Sequence, residues 1–230
     1  MGSLGAYFCG DFEEMRDVIG HRLRDTKRTG CLVVVVFANA RTELFAKHLR
    51  PYLGEWHYRS GELVEFVFPG YRGLGDPKEH RFKPDIYDDA YQDHIFVRAT
   101  EECQARSAWR YTGEPVVIIC NATIPLDLPS NTSPADLHLE SCIVFDLAEA
   151  LKKGVIRSVP FFFQSIIAFA KENPGYATAW NFSDSVGIRN LLDQVKDGLI
   201  KTASKWLGGE GLPQAVDTAK CFTIRNLKAQ

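Results

Sequence analysis

The sequence predicts an α/β protein, with a mixed β-sheet covered by helices and a helical C-terminal extension. The first observation is the apolar run CLVVVVFAN at 31–39, which is rich in β-branched residues. A strand of this kind is buried on both faces, as happens when helices cover a largely parallel sheet. The second observation is that further short apolar runs alternate with helix-like segments, which is the pattern of α/β domains.

A helix, a strand and a second helix open the chain. Asp11 is a suitable N-cap for a helix over 11–28, because Glu14 follows it three residues later and an apolar stripe runs along one face. The buried strand spans 31–38. Asn39 is expected to cap the second helix, which begins near the next residue.

Three later apolar runs are predicted to be strands, at 62–68, 115–121 and 141–145. A right-handed crossover would place the first of them parallel to the strand at 31–38. The other two are expected to pair in antiparallel fashion. A helix over 88–106 precedes the strand at 115–121.

The predicted division of the chain is an α/β domain over 1–155 and a helical extension over 156–230 packed on it. A short helix over 146–153 ends the first domain, where Gly154 stops it. In the extension, a helix capped by Ser158 is expected at 159–171, a second helix at 184–207, and an edge strand at 220–225.

Composition excludes several classes of partner. The formal net charge is -2 at pH 7, which gives no electrostatic reason to expect nucleic acid or an anionic membrane. The densest apolar run, 160–170, is too short to cross a bilayer. We therefore expect no nucleic-acid partner and no membrane partner.

Cysteine and histidine spacing indicates neither a metal site nor a dithiol. The six histidines lack a ligand-like spacing, and the cysteines are scattered through apolar patterns rather than paired. We expect no metal and no cofactor, and core thiols in a reducing, cytoplasmic location. The cysteines are Cys9, Cys31, Cys103, Cys120, Cys142 and Cys221.

The order of elements over 11–153 resembles the thioredoxin fold, in which two parallel strands flank a crossover helix and an antiparallel pair is followed by a closing helix. The sequence GEPVVII at 113–119 resembles that family's loop before its third strand, where a cis-proline faces the active site. The resemblance implies a cis Glu114–Pro115 bond, beside the start of the helix near Ala40.

The chain departs from the thioredoxin family at the catalytic position. The resemblance places a Cys-x-x-Cys just after the first buried strand, where this sequence has Asn39, Ala40, Arg41 and Thr42. Disulfide exchange needs a thiolate nucleophile, so the sequence predicts no dithiol chemistry at this position.

Two weaker resemblances leave other functions open. Glu140-Ser141 resembles the Glu-Ser pair with which glutathione transferases hold the peptide part of glutathione. The segments between His57 and Tyr71 resemble uncharacterised bacterial proteins, some of them encoded in gene clusters for conflict with phage. No chemistry follows from the second resemblance.

The best candidate site lies where the first buried strand ends, because ligands of α/β proteins bind at the carboxyl ends of strands. Its candidate ligand-binding residues are Asn39, Arg41, Thr42, Arg59, Gly113, Glu114 and Pro115. The alternatives are that Asn39 only caps a helix and that Arg59 belongs to a polar turn.

Two functions remain open at this point. The chain is either a non-catalytic, thioredoxin-like binding or adaptor protein with a protein partner, or a small-molecule enzyme or sensor. In the second case a small anionic ligand, such as glutathione, would occupy a pocket at the N-terminus of the helix after the first buried strand.

Overall fold

The computed structural model describes most of the α/β part of the chain. The described residues are 11–53, 56, 63–71, 91–124, 134–154, 156–173, 179, 182 and 222–225. The helix predicted over 184–207 and the candidate residue Arg59 lie outside them. Among the described residues, no helix is both long and apolar enough to span a membrane.

The named elements follow each other in the order helix, strand, helix, strand, helix, and then the remaining strands with two further helices. The helices are α1 (Phe12–Asp25), α2 (Glu43–His48), α3 (Asp93–Ala105), α4 (Leu147–Lys152) and α5 (Val159–Glu172). The strands are β1 (Gly30–Phe37), β2 (Val64–Val67), β3 (Val116–Thr123), β4 (Asp136–Leu137), β5 (Cys142–Asp146) and β6 (Phe222–Arg225).

The strands form one mixed sheet in the order β2-β1-β3-β5-β6, with the short strand β4 attached to β3. β1 and β2 are parallel, in the register Leu32↔Val64, which confirms the predicted crossover. β3 and β5 are antiparallel, also as predicted. β3 lies antiparallel to β1 over eight residue pairs, from Gly30↔Thr123 to Phe37↔Val116.

Helices cover both faces of this sheet. Alternate side chains of a strand point to opposite faces, so Leu32 and Val34 join a core with α2, α4 and α5, whereas Val33 and Val35 join a core with α1 and α3. All of β1 except Gly30 is buried. The double burial that the apolar run predicted is therefore present.

The starts of two helices were predicted correctly from their caps. The Asp11 carboxylate accepts a hydrogen bond from the Glu14 backbone N–H at 2.7 Å, and the Ser158 hydroxyl accepts one from the Phe161 N–H at 3.3 Å. At its C-terminus α1 ends at Asp25 rather than at residue 28. Lys27 has a φ of 55°, and this left-handed conformation cannot continue a right-handed helix.

The predicted cap of α2 is wrong. Thr42, not Asn39, is the N-cap: its hydroxyl oxygen accepts a hydrogen bond from the Phe45 backbone N–H at 3.3 Å. The Asn39 side chain instead accepts one from the Arg41 backbone N–H at 2.9 Å. Asparagine side chains compete for backbone groups in this way and stabilise a turn, which delays the start of the helix.

A buried ion pair joins α1 to the edge strand β2. The Arg22 guanidinium contacts the Glu65 carboxylate, with side chains 8% and 4% exposed. Glu65 lies opposite Val33 in the sheet and faces the same core as Cys31. Buried charged groups are stable only with a partner, so each of these two residues depends on the other.

Removing one member of this pair should be costly, and removing both should not be. We expect Arg22→Met to lower the free energy of unfolding by about 1–3 kcal/mol, because the buried carboxyl loses its donor. The double variant Arg22→Met/Glu65→Met should recover most of that loss, since apolar side chains replace buried pairs well. Urea denaturation of Arg22→Met, Glu65→Met and the double variant tests this, and additive losses would contradict it.

The same pair should make stability depend on pH. Burial raises the pKa of Glu65 from 4.5 to about 8, and Arg22 opposes that rise. A carboxyl with a higher pKa in the folded state contributes stability that is complete below the unfolded pKa and is lost as pH rises through the folded value. We expect the stability of the wild type to fall between about pH 5 and 9 relative to Glu65→Gln, whose amide stays neutral. Parallel slopes for the two proteins in denaturation curves would contradict this.

Candidate functional site

The loop that follows β1 is a compact turn held by its own side chains. The Thr42 hydroxyl donates a hydrogen bond to the Asn39 carbonyl at 2.7 Å, and the Asn39 side chain accepts one from the Arg41 N–H. The Arg41 side chain itself is 77% exposed. The predicted residues Asn39, Arg41 and Thr42 therefore form one local unit.

An ion pair connects this turn to the start of α3. The Arg41 guanidinium contacts the Asp93 carboxylate, whose side chain is 43% exposed. An exposed pair contributes at most about 1 kcal/mol to stability, because water and salt screen it. The contact between Arg41 and Asp93 can therefore break at low cost in free energy, and either side chain can then contact a charged group on another molecule.

The loop before β3 lies at the same edge of the sheet. Phe37, the last residue of β1, pairs with Val116, the first residue of β3, so the loops beyond them are neighbours. Gly113 and Glu114 are exposed, and Pro115 is buried. The Pro115 carbonyl accepts a hydrogen bond from the Leu147 N–H at 3.0 Å, at the start of α4.

The predicted cis bond at Pro115 is wrong, since the Glu114–Pro115 bond is trans. Gly113, with a φ of 94°, makes the sharp change of direction before the strand. A glycine is suited to this left-handed conformation because it has no Cβ. The chain thus enters β3 without an isomerised proline.

Two tyrosines that the sequence analysis did not single out complete the site. The Tyr111 hydroxyl donates a hydrogen bond to the Gly113 carbonyl at 3.1 Å. Burial raises the pKa of Tyr91 and of Tyr111, and backbone contacts with Ala40 and Asn39, respectively, oppose that rise. Both hydroxyls therefore remain neutral at physiological pH and lie against the turn after β1. We call residues 38–42, 91–93 and 111–115 together the carboxyl-edge site.

A layer of aromatic side chains packs against the loops of this site. The ring of Trp109 lies 4.4 Å from that of Phe37 and 5.9 Å from that of Tyr111, measured between centroids. Such contacts restrict the loop conformations, because aromatic pairs add about 0.5–1.5 kcal/mol beyond the area that they bury. The layer consists of Phe37, Tyr71, Tyr91, Phe96, Trp109 and Tyr111.

Gly70 positions one of the two tyrosines. Tyr71 forms an isolated antiparallel bridge with Tyr91, and the Gln92 N–H donates to the Gly70 carbonyl at 2.8 Å. A Cβ atom on Gly70 would lie 2.5 Å from the Tyr91 ring. The absence of a side chain at Gly70 therefore allows Tyr91 to reach its place in the site.

The described cysteines do not contribute to the carboxyl-edge site. Cys31, Cys103, Cys120 and Cys142 are all buried in the core on the α1 and α3 side of the sheet. Burial raises the pKa of Cys103 to about 11 and that of Cys120 well above its ordinary value. A thiol in this state is a poor nucleophile, since the thiolate is the reactive form.

A second polar cluster lies at the opposite end of β3. The Thr123 hydroxyl is 2.8 Å from His138 Nε2, and His138 Nδ1 is 3.1 Å from the Glu140 carboxylate. The order hydroxyl, imidazole, carboxylate is the one that activates nucleophiles in enzymes. Here the side chains of His138 and Glu140 are 32% and 37% exposed, so we assign the cluster a structural role in joining β3 to the turn at 139–141.

The structure brings six of the seven predicted site residues to one edge, while Arg59 lies outside the described residues. Tyr91, Asp93 and Tyr111 were not predicted from the sequence as site residues. A pair of aromatic residues shortly before a strand, as at Trp109 and Tyr111, is the pattern that could have indicated a layer under the loop. In the described part of the chain, no group of three or more His, Cys, Asp or Glu side chains is arranged to hold a metal ion.

Comparison with known proteins identifies no relative. No protein-family model, curated protein or solved structure matches the chain at a significant level.

Two glycine substitutions should separate backbone strain from packing in this site. Gly70 and Gly113 have similar positive φ values, 99° and 94°, but no atom lies within 4 Å of a Cβ placed on Gly113. We expect Gly113→Ala to cost about 1–2 kcal/mol from the left-handed conformation alone. Gly70→Ala should cost a further ~1–3 kcal/mol, because it also displaces the Tyr91 ring. Equal losses in thermal or urea denaturation would show that Tyr91 does not pack tightly on Gly70.

Proposed function

We propose that this chain is a non-catalytic binding or adaptor protein with a thioredoxin-like fold, and that it contacts a protein partner through the carboxyl-edge site. The proposal is based on the polar groups that lie at the carboxyl-edge site. This site combines the Tyr111 hydroxyl, an exposed Arg41–Asp93 pair and the exposed residues Gly113 and Glu114. These groups can make hydrogen bonds and charge contacts, but the site holds no thiol.

The sheet supports the thioredoxin-like part of this proposal. A parallel pair, β1 and β2, is joined through α2, and an antiparallel pair, β3 and β5, is followed by the closing helix α4. This is the order of pairings that the resemblance implies. The trans bond at Pro115 and the shortness of α2, with six residues, are departures from it.

The glutathione alternative receives less support from the geometry. Glu140 lies next to His138, which contacts the end of β3 remote from Asn39. The residue that would hold the peptide part of glutathione is therefore at the wrong edge of the sheet. A cavity between α1 and β1, lined by residues such as Phe12 and Val35, has a volume of about 10 Å³. That volume holds about one water molecule.

A reductase assay tests the absence of dithiol chemistry. We expect no catalysis of insulin reduction above the uncatalysed rate, because the described thiols are buried and protonated and no Cys-x-x-Cys exists in the sequence. Turnover that disappears on replacement of a single cysteine would contradict the proposal.

Site-specific photo-crosslinking in cells tests the binding surface. A photoreactive amino acid at Glu114 should give a discrete crosslinked species, whereas the same group at Asp25 should not, since Asp25 ends α1 at the opposite edge of the sheet. Arg41→Ala should weaken the crosslink without unfolding the protein, because its ion pair is exposed. Arg157→Ala, which also removes an exposed arginine, is the matched control.

A thermal-shift panel of glutathione, nucleotides and phosphate separates the two functions. A ligand that binds only the native state must raise the melting temperature. A rise with glutathione that Arg41→Ala abolishes and Arg157→Ala retains would favour the small-molecule alternative. Identical crosslinks from Glu114 and Asp25, or none from either, would overturn the adaptor proposal.

A further inference from the structure

Two of the buried cysteines face each other across the centre of the sheet. The pairing of β3 with β5 runs from Val116↔Asp146 to Ile119↔Ile143. The next step of the same register places Cys120 opposite Cys142, and both residues belong to these strands. Both side chains point into the core under α1 and α3, and both residues are 0% exposed.

Each pair of directly opposed residues on β3 and β5 is one step of the ladder, and it is either hydrogen-bonded or not. The hydrogen-bond pattern shows which kind of step Cys120 and Cys142 form. The Leu147 N–H donates to the Pro115 carbonyl, which makes that step a hydrogen-bonded one. Antiparallel strands alternate hydrogen-bonded and non-hydrogen-bonded steps, so the Cys120 and Cys142 step, five residues further along, is non-hydrogen-bonded. Directly opposed residues at such a step have Cα atoms about 4.5 Å apart, within the range of about 4.4–6.8 Å that a disulfide spans.

The surroundings distinguish this pair from the other buried thiols. Cys142 is the thiol with the largest electrostatic effect on Cys120, ahead of Cys103 and Cys31. Cys31 pairs with Ala122 on β3, so it is diagonal to Cys120 rather than opposite to it. Cys103 is on α3, outside the sheet. Cys120 and Cys142 are therefore the best-placed partners among the four described cysteines.

We propose that Cys120 and Cys142 are a latent disulfide site that links the two central strands β3 and β5 when the chain meets a disulfide oxidant such as oxidised glutathione. The thiolate of one cysteine attacks a sulfur of oxidised glutathione and expels one glutathione thiolate. The second cysteine then attacks the mixed disulfide and expels the other. The two protons lost by the cysteines go to the two glutathione thiolates, so the protein is oxidised and glutathione is reduced.

Burial makes the site latent rather than readily reactive. The thiolate is the attacking species, and burial raises the pKa of the Cys120 thiol. Exchange in the native state therefore waits for β3 and β5 to separate locally. The bond, once formed, would close the loop over 121–141 and restrict the unfolded chain, which is how disulfides stabilise proteins in the chain-entropy account.

Refolding in a glutathione redox buffer tests the proposal, because the two thiols are accessible to oxidised glutathione in the unfolded chain. The reduced protein is unfolded in denaturant, diluted into reduced and oxidised glutathione, trapped by acid and alkylation, and digested without reductant. The peptide that joins Cys120 to Cys142 should exceed any other cysteine pairing by ~10-fold, because among the described cysteines these two occupy directly opposed positions on neighbouring strands. The oxidised protein should melt at a higher temperature than the reduced one, and reductant should reverse the difference.

Cysteine variants provide the controls. Cys31→Ala and Cys103→Ala should still form the crosslink, whereas Cys120→Ala and Cys142→Ala should yield folded protein without it. Should either of the last two fail to fold, the peptide map of the wild type decides. Dominant pairing through Cys31 or Cys103, folded wild type with all six cysteines alkylated, or folding that succeeds only in reductant would each overturn the proposal.

Discussion

The antiparallel ladder between β1 and β3 is the constraint on which the rest of the structure depends. It joins eight residue pairs, and nearly every residue in it is buried. Backbone groups removed from water must be paired, so neither strand can exist in this environment without the other. β2 and β5 add to the outer sides of this ladder, and both cores form on the faces that it presents.

The ladder also determines where the chain can carry exposed polar groups. Because Phe37 and Val116 are paired, the turn after β1 and the turn before β3 leave the sheet side by side. Their backbone N–H and carbonyl groups lie beyond the last ladder pair and are satisfied locally, by Asn39, Thr42 and Tyr111. The carboxyl-edge site is thus a consequence of strand pairing and turn chemistry, with Tyr91 supplied from the start of α3.

Features that follow from hydrophobic periodicity were predicted correctly from the sequence. Features that depend on which of several neighbouring groups forms a contact were not. The apolar run at 31–38 and the caps Asp11 and Ser158 have one low-energy solution each, and the structure contains it. Asn39 and Thr42 can both cap a helix, and the choice between them moves the start of the helix by three residues. The burial of Glu65 was not predicted, because it depends on the position of Arg22 on a helix distant in sequence. The prediction of a cis bond at Pro115 was wrong because a proline before an apolar run indicates where a strand begins but does not determine the isomer of the bond.

The two buried faces explain why the chemistry of this molecule is concentrated at edges. A doubly covered strand accepts apolar and small side chains, and thiols meet that requirement at Cys31 and Cys120 because a protonated thiol is weakly polar. Among the described residues, the ionisable Arg22 and Glu65 side chains are buried in the same core, where they contact each other. The neutral thiols therefore serve packing as long as they stay reduced and protonated. Under the proposed function, exposed groups such as Arg41 and Glu114 contact the partner, because their charges cost little to keep in water and can pair with opposite charges on a partner.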